Sequence, residues 1–133
     1  MIFDRRRFIG TVAAGAIVLA VPACAIHTGA KTAMYGLIGK MKAVPGQRDA
    51  LISILLEGVS DMPGCLSYIV AQDPTDADTV WVTEVWDSQT SHKESLSLPF
   101  VKETIARGIP LIAAFDQQIE TVPVGGHGIR AAA

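Results

Sequence analysis

The strongest constraint on the fold is the way apolar spacing changes along the chain. From Met34 to Ala43 (MYGLIGKMKA) the pattern alternates, with Tyr35, Leu37 and Met41 on one face and Lys40 and Lys42 on the other. That is the period of a strand. Pro45-Gly46 breaks it. From Gln47 to Met62 the apolar residues Leu51, Ile54, Leu55 and Val59 recur at three- and four-residue steps, one face of a helix. Met62-Pro63-Gly64 is a stop. Cys65–Asp73 (CLSYIVAQD) alternates again, with Leu66, Tyr68 and Val70 on one face. Pro74 to Asp78 is a polar loop of hairpin length, and Thr79–Asp87 is a third strand.

Asp87 or Ser88 is placed to cap a short helix over Gln89–Leu96. Pro99 suits the first turn of a longer helix over Phe100–Ala114, in which Pro110 must kink or end the pattern. Phe115–Val124 reads as a fourth strand with Phe115, Gln117, Ile119 and Thr121 on one face. Residues 125–133 form a tail. The order β-α-β-β-α-β over residues 33–124 is the α+β, ferredoxin-like arrangement, an antiparallel sheet with both helices on one side. Half the chain is hydrophobic, enough for a core. The other sheet face, expected to carry Tyr68 and Trp86, is left uncovered. Apolar exposure of that size marks an interface or a ligand site, so the pattern predicts a homodimer, a pocket, or both.

The first 25 residues read differently. DRRRFIG precedes an apolar run of 14 residues, Phe8 to Val21, and a small-residue site at Ala23-Cys24-Ala25. That order is a secretory signal peptide; the run is short of the roughly 20 apolar residues a spanning helix needs. Arg5-Arg6-Arg7-Phe8-Ile9 resembles the twin-arginine export signal, which implies delivery of a folded domain to the periplasm or beyond. Residues 26–32 are then a linker. Cys24 is either the middle of the cleavage site or, since Val21-Pro22-Ala23-Cys24 resembles a lipoprotein box, a lipid anchor. Membrane attachment is expected only in the second case. Cleavage after Ala25 leaves Cys65 as the one cysteine, so no internal disulfide is available. The whole chain carries a formal charge of −2, without the basic patch of a nucleic-acid-binding protein.

Few residues are equipped for chemistry. In the third strand, VWVTEVWDS, Glu84 and Trp86 share a face with Val80 and Val82, about 7 Å apart by the rise per residue. The pair reads either as an acid beside an aromatic wall, with burial raising the acid's pKa, or as a core tryptophan beside a carboxylate paired to a lysine or arginine. His92 is the one histidine between linker and tail, at the start of the short helix, where it serves as acid or base or is an exposed helix residue. Tyr68 and Tyr35 are candidates to bind a substrate oxygen, or half-buried strand residues. Cys65 reads as a small core residue. No Cys, His and carboxylate spacing matches a metal site, and no glycine loop suits a phosphate.

These segments together resemble the antibiotic biosynthesis monooxygenase (ABM) domain, of quinol-monooxygenase type. The carrying stretches are PGQRDALISILLEGVSDMPGCLSYIVAQDP and DTVWVTEVWDSQTSHKESLSLPFVKETIARGIPLI, over about residues 33–123. The resemblance implies a dimeric α+β barrel with a pocket between sheet and helices in each subunit. It implies oxidation of quinols, anthrones or related electron-rich aromatics by O2 without flavin or metal, so no cofactor is expected. The site set it points to is Trp86, His92, Glu84 and Tyr68, with Trp86 matching a functional tryptophan of the family. The chain departs from the heme-degrading branch, which has a histidine where Ser95 and Leu96 stand and an asparagine in place of Gly39. It also departs from the polyketide-oxidising branch, which has an asparagine in place of Val82. A non-catalytic module that holds a small aromatic ligand is the alternative function.

Overall fold

The computed structural model describes residues 32–129. The export signal, the Cys24 alternatives and nearly all of the linker lie outside these residues, as do residues 130–133. The described residues form four strands and three α-helices in the order β1 (Tyr35–Ala43), α1 (Arg48–Leu55), β2 (Cys65–Gln72), β3 (Thr79–Trp86), α2 (Gln89–Ser95), α3 (Pro99–Gly108) and β4 (Ile112–Thr121). The sheet is antiparallel, in the order β2-β3-β1-β4. The ferredoxin-like α+β arrangement is therefore as expected. Among the described residues no helix is long and apolar enough to cross a membrane.

The long first helix is interrupted. α1 ends at Leu55, Gly58 takes a left-handed φ of 68°, and Val59–Asp61 form a separate 3-10 turn. Glycine is the residue that adopts this conformation without a Cβ penalty. The spacing of Val59 and Met62 continues the helical period, so the pattern alone does not reveal the break. α2 is capped by Ser88, whose Oγ accepts the Ser91 N–H at 3.1 Å. α3 carries Pro99 in its first turn. Gly108 ends it, and Ile109–Leu111 form a 3-10 turn holding Pro110, so the helix is shorter than expected and β4 starts earlier, at Ile112.

One face of the sheet is covered. Ala43, Val80 and Val82 pack beneath Leu51 of α1, with Ile52, Leu55, Tyr68, Val70, Leu111 and Ile112 around them. A second buried cluster joins Tyr35, Leu37 and Trp86, with Met62 and Cys65 against it. Trp86 is 1% exposed. Tyr68 and Trp86 thus lie under the helices, and the expectation that they form the uncovered face is corrected. Apolar residues stand on both faces of the sheet, so alternation gave two faces but not which one the helices take.

The uncovered face is built from the other set. Ile69, Thr83, Ile38 and Ile119 pair in one row across all four strands. The expected facing of β4 is also corrected. Gln117 pairs with Lys40 but Phe115 pairs with Met41, because a bulge inserts Asp116. The bulge turns Phe115 to the helix side, while Gln117, Ile119 and Thr121 stay on the open side.

Candidate functional site

Between the sheet and the three helices lies a cavity of about 300 Å³. Its floor includes Leu37, Tyr68, Val82, Glu84 and Trp86; Leu51 and Leu55 of α1, His92 and Ser95 of α2, and Phe100 and Val101 of α3 close it. Leu96, Ile105, Ile109 and Phe115 line it while remaining exposed to water, so they mark its open side. Trp86, His92, Glu84 and Tyr68, the four residues picked out from the sequence, all line this one cavity.

Strand pairing brings them together. Tyr68, Glu84, Leu37 and Glu120 form one row across β2, β3, β1 and β4. Trp86 follows Glu84 by two residues on the same face, and its indole N–H donates to Glu84 Oε2 at 2.8 Å. His92, delivered by α2, places Nε2 3.8 Å from the same oxygen. That is an ion-pair distance and too long for a hydrogen bond. The Trp86 ring meets the imidazole edge-on, centroids 5.4 Å apart at 73°. Among the described residues neither a lysine nor an arginine partners Glu84.

This environment sets the proton affinities. Burial raises the Glu84 pKa, against the opposing pull of the Trp86 hydrogen bond and the His92 charge. Desolvation disfavours a charge, and a neutral indole donor offsets it less than a cation would. Burial also raises the Tyr68 pKa, with Glu84 and Cys65 adding to it, so Tyr68 stays a neutral hydroxyl. Burial raises the Cys65 thiol likewise, which disfavours its reactive thiolate form. The arrangement offers a largely apolar slot in which Glu84 and His92 can exchange a proton.

Tyr35 was a candidate to meet a substrate oxygen, but it stands behind His92 and does not line the cavity. Its hydroxyl donates to Glu120 Oε1 at 2.9 Å. Glu120 was not singled out from the sequence, and no motif marks it; only the pairing of β4 with β1 brings it near. Ser95 lines the cavity at 4% exposure, its hydroxyl donating to the His92 carbonyl at 2.6 Å. Among the described residues no group of three or more His, Cys, Asp or Glu is set to hold a metal ion.

Comparison with known proteins agrees with this architecture. Residues 34–107 match the family model described as antibiotic biosynthesis monooxygenase. No curated protein matches the chain. Among solved structures, a candidate antibiotic biosynthesis monooxygenase from Chloroflexus aurantiacus J-10-fl is 73% identical, with a TM-score of 0.71 over 73% of this chain and 99% of that one. A Pseudomonas aeruginosa protein is 18% identical, with a TM-score of 0.62 over 71% of this chain and 98% of its own. A candidate antibiotic biosynthesis monooxygenase from Caulobacter crescentus CB15 is 19% identical, with a TM-score of 0.60 over 73% and 93%. The last two likenesses show the fold alone. The family match over more than half the chain, with the 73% identical relative, shows that this chain belongs to the antibiotic biosynthesis monooxygenase family.

Proposed function

We propose that the protein is a monooxygenase that oxidises a quinol or a related electron-rich aromatic with O2. The observation that carries this reading is the buried carboxylate of Glu84, beside His92 and Trp86, in a largely apolar cavity. Ground-state O2 reacts slowly with closed-shell molecules, whereas a deprotonated phenol or anthrone gives it one electron. The protein's task is then to take the proton, hold the flat anion and keep water away. Glu84, with its raised pKa, takes the proton from the substrate hydroxyl or acidic carbon. His92 beside it shares that proton, Tyr68 offers a neutral hydroxyl to the substrate oxygen, and Trp86 supplies the wall. The anion reduces O2 by one electron, and the two radicals combine to form a C–O bond. The peroxide takes the proton back from Glu84 and, as the remaining C–H proton leaves, the O–O bond breaks, so one oxygen stays as a carbonyl and the other departs as water. This scheme draws on no bound cofactor.

A second reading is favoured by one observation. Val82, buried in the cavity floor, stands where the polyketide-oxidising branch carries an asparagine. A chain without that group would hold a small aromatic ligand without turning it over.

We further propose that two copies assemble through the uncovered sheet face. The twin-arginine head supports export of the folded domain, either free after cleavage past Ala25 or anchored at Cys24.

The test is O2 uptake by purified residues 26–133 with reduced quinols and anthrones, with chelator present and no flavin added, beside Trp86→Phe. Uptake above the autoxidation blank that falls in the variant supports the enzyme. Tight binding of the same compounds without uptake moves the reading to the binding module.

A further inference from the structure

We infer that Tyr35 and Glu120 are positioning residues that hold the His92 imidazole against Glu84. The inference rests on the proposed proton-handling role of Glu84 and His92. The imidazole is held between two rings: Trp86 meets it edge-on, and Tyr35 lies tilted at 41° with centroids 5.1 Å apart. Trp86 is fixed by its bond to Glu84. Tyr35 is fixed by Glu120, reached from the edge strand β4. The hydrogen bond from the Ser95 hydroxyl reaches only the His92 carbonyl, so it holds the backbone of α2 and leaves the ring free to turn. The direction of Nε2 is therefore set by the two flanking rings, and one of them is anchored from outside the cavity.

The chemistry gives this anchor a purpose. At 3.8 Å from Glu84 Oε2, a small turn of the imidazole either forms the hydrogen bond for proton exchange or carries Nε2 out of reach of it. The titratable groups facing Glu84 are Tyr68 and Cys65 of β2, Tyr35 of β1 and His92 of α2. Burial, followed by the bond to Glu120, raises the Tyr35 pKa. Tyr35 therefore remains a neutral donor to Glu120 and gives up no proton to the site.

The test uses the full chain after export processing, with Glu120→Ala, Glu120→Gln and Tyr35→Phe. Glu120 is exposed and Tyr35→Phe keeps the ring, so the variants fold. The first readout is the NMR signals of the His92 ring, identified by their disappearance in His92→Gln. The expected result is loss of the ring-current shift in Glu120→Ala and Tyr35→Phe, with the shift kept in Glu120→Gln, which retains an acceptor. The second readout, where a quinol or anthrone is oxidised, is kcat falling about tenfold in the same two variants with KM unchanged, the scale of a small misplacement. Unchanged His92 signals in both variants overturn the inference. A change in Tyr35→Phe alone overturns the role of Glu120. If no compound is oxidised, the proposed function fails while the His92 signals still decide the positioning role.

Discussion

The indole Nε1 of Trp86 donates to Glu84 Oε2 at 2.8 Å, from two residues further along the same face of β3. A carboxylate buried among apolar side chains normally finds a cation. Here its hydrogen-bond donor is neutral, and the nearest titratable cation, His92, stands 3.8 Å away. The indole satisfies one lone pair without strongly stabilising the charge, which leaves burial free to raise the proton affinity of Glu84. The tryptophan and the acid therefore form one unit.

This unit predicts a pH dependence of stability. Burial raises the folded-state pKa of Glu84 above its unfolded value, which is about 4.3. Between the two values the folded chain binds more protons than the unfolded one. The contribution of Glu84 is thus fully present below the unfolded pKa and is lost as pH rises through the folded one. Glu84→Gln keeps an acceptor for Trp86 and carries no charge. It is expected to be more stable than the parent at neutral pH by on the order of 1 kcal/mol, a few degrees in Tm, with a flatter Tm profile above about pH 4. Thermal unfolding across that range measures both. In the proposed reaction the same variant loses turnover.

Two glycines with similar backbone angles should respond differently to alanine. Gly46 has φ of 78° and nothing within 4 Å of an added Cβ. Gly64 has φ of 83°, and its Cβ would come within 2.5 Å of Ser91 Cβ and 2.8 Å of Asp87 Oδ1. Gly46→Ala meets only the left-handed penalty, about 1–2 kcal/mol. Gly64→Ala meets that penalty and must also push α2 away from β2. The expected loss is clearly larger, about 3 kcal/mol or more on the overpacking scale, in urea unfolding of the two variants.

The contrast between these glycines shows what the sequence could convey. Both lie in Pro-Gly pairs that plainly end elements, and the order of strands and helices followed from such breaks and from period. Residues that line the cavity were legible as well: Glu84 and Trp86 share a face by strand period alone, and His92 follows within a few residues. Which sheet face the helices cover was not legible, because Val80, Val82 and Trp86 on one side and Ile38, Ile69 and Ile119 on the other are similarly apolar. Glu120 was hidden for another reason. Its partner Tyr35 is 85 residues away along the chain, and the bulge at Asp116 separates the facing of Phe115 from that of the rest of β4. Register and bulges arise from pairing between strands, which no local pattern records.

The N-cap of α2 gives a third expectation. Ser88 Oγ accepts the Ser91 N–H and lies 3.0 Å from Ser91 Oγ. Ser88→Ala leaves a helix N–H without its acceptor, at a cost of about 1 kcal/mol. Asparagine is an equally good cap, so Ser88→Asn should recover most of that loss. Because His92 rides on this helix, the two variants should also separate in the His92 ring signals: displaced in Ser88→Ala and near the parent position in Ser88→Asn.

The uncovered sheet face gives the last. Ile69, Thr83, Ile38 and Ile119 form a row from one edge of the sheet to the other, and Ile69 and Ile119 are 56% and 46% exposed. A second copy packed on this row would remove both from water, and a stable interface needs about 800 Å² from each partner, which a four-stranded face can supply. In an isolated chain, lysine at either exposed position disturbs little, within about 0.5 kcal/mol. At a seam between copies the same change buries an unpaired charge. The double variant Ile69→Lys, Ile119→Lys is therefore expected to keep its circular dichroism spectrum and to sediment as a monomer where the parent sediments as a dimer. A parent that sediments as a monomer at micromolar concentration overturns the assembly, and a double variant that stays dimeric places the subunit contact elsewhere. If the parent proves dimeric, Tm should rise with its concentration and cease to do so in the variant, since association stabilises the folded state by mass action.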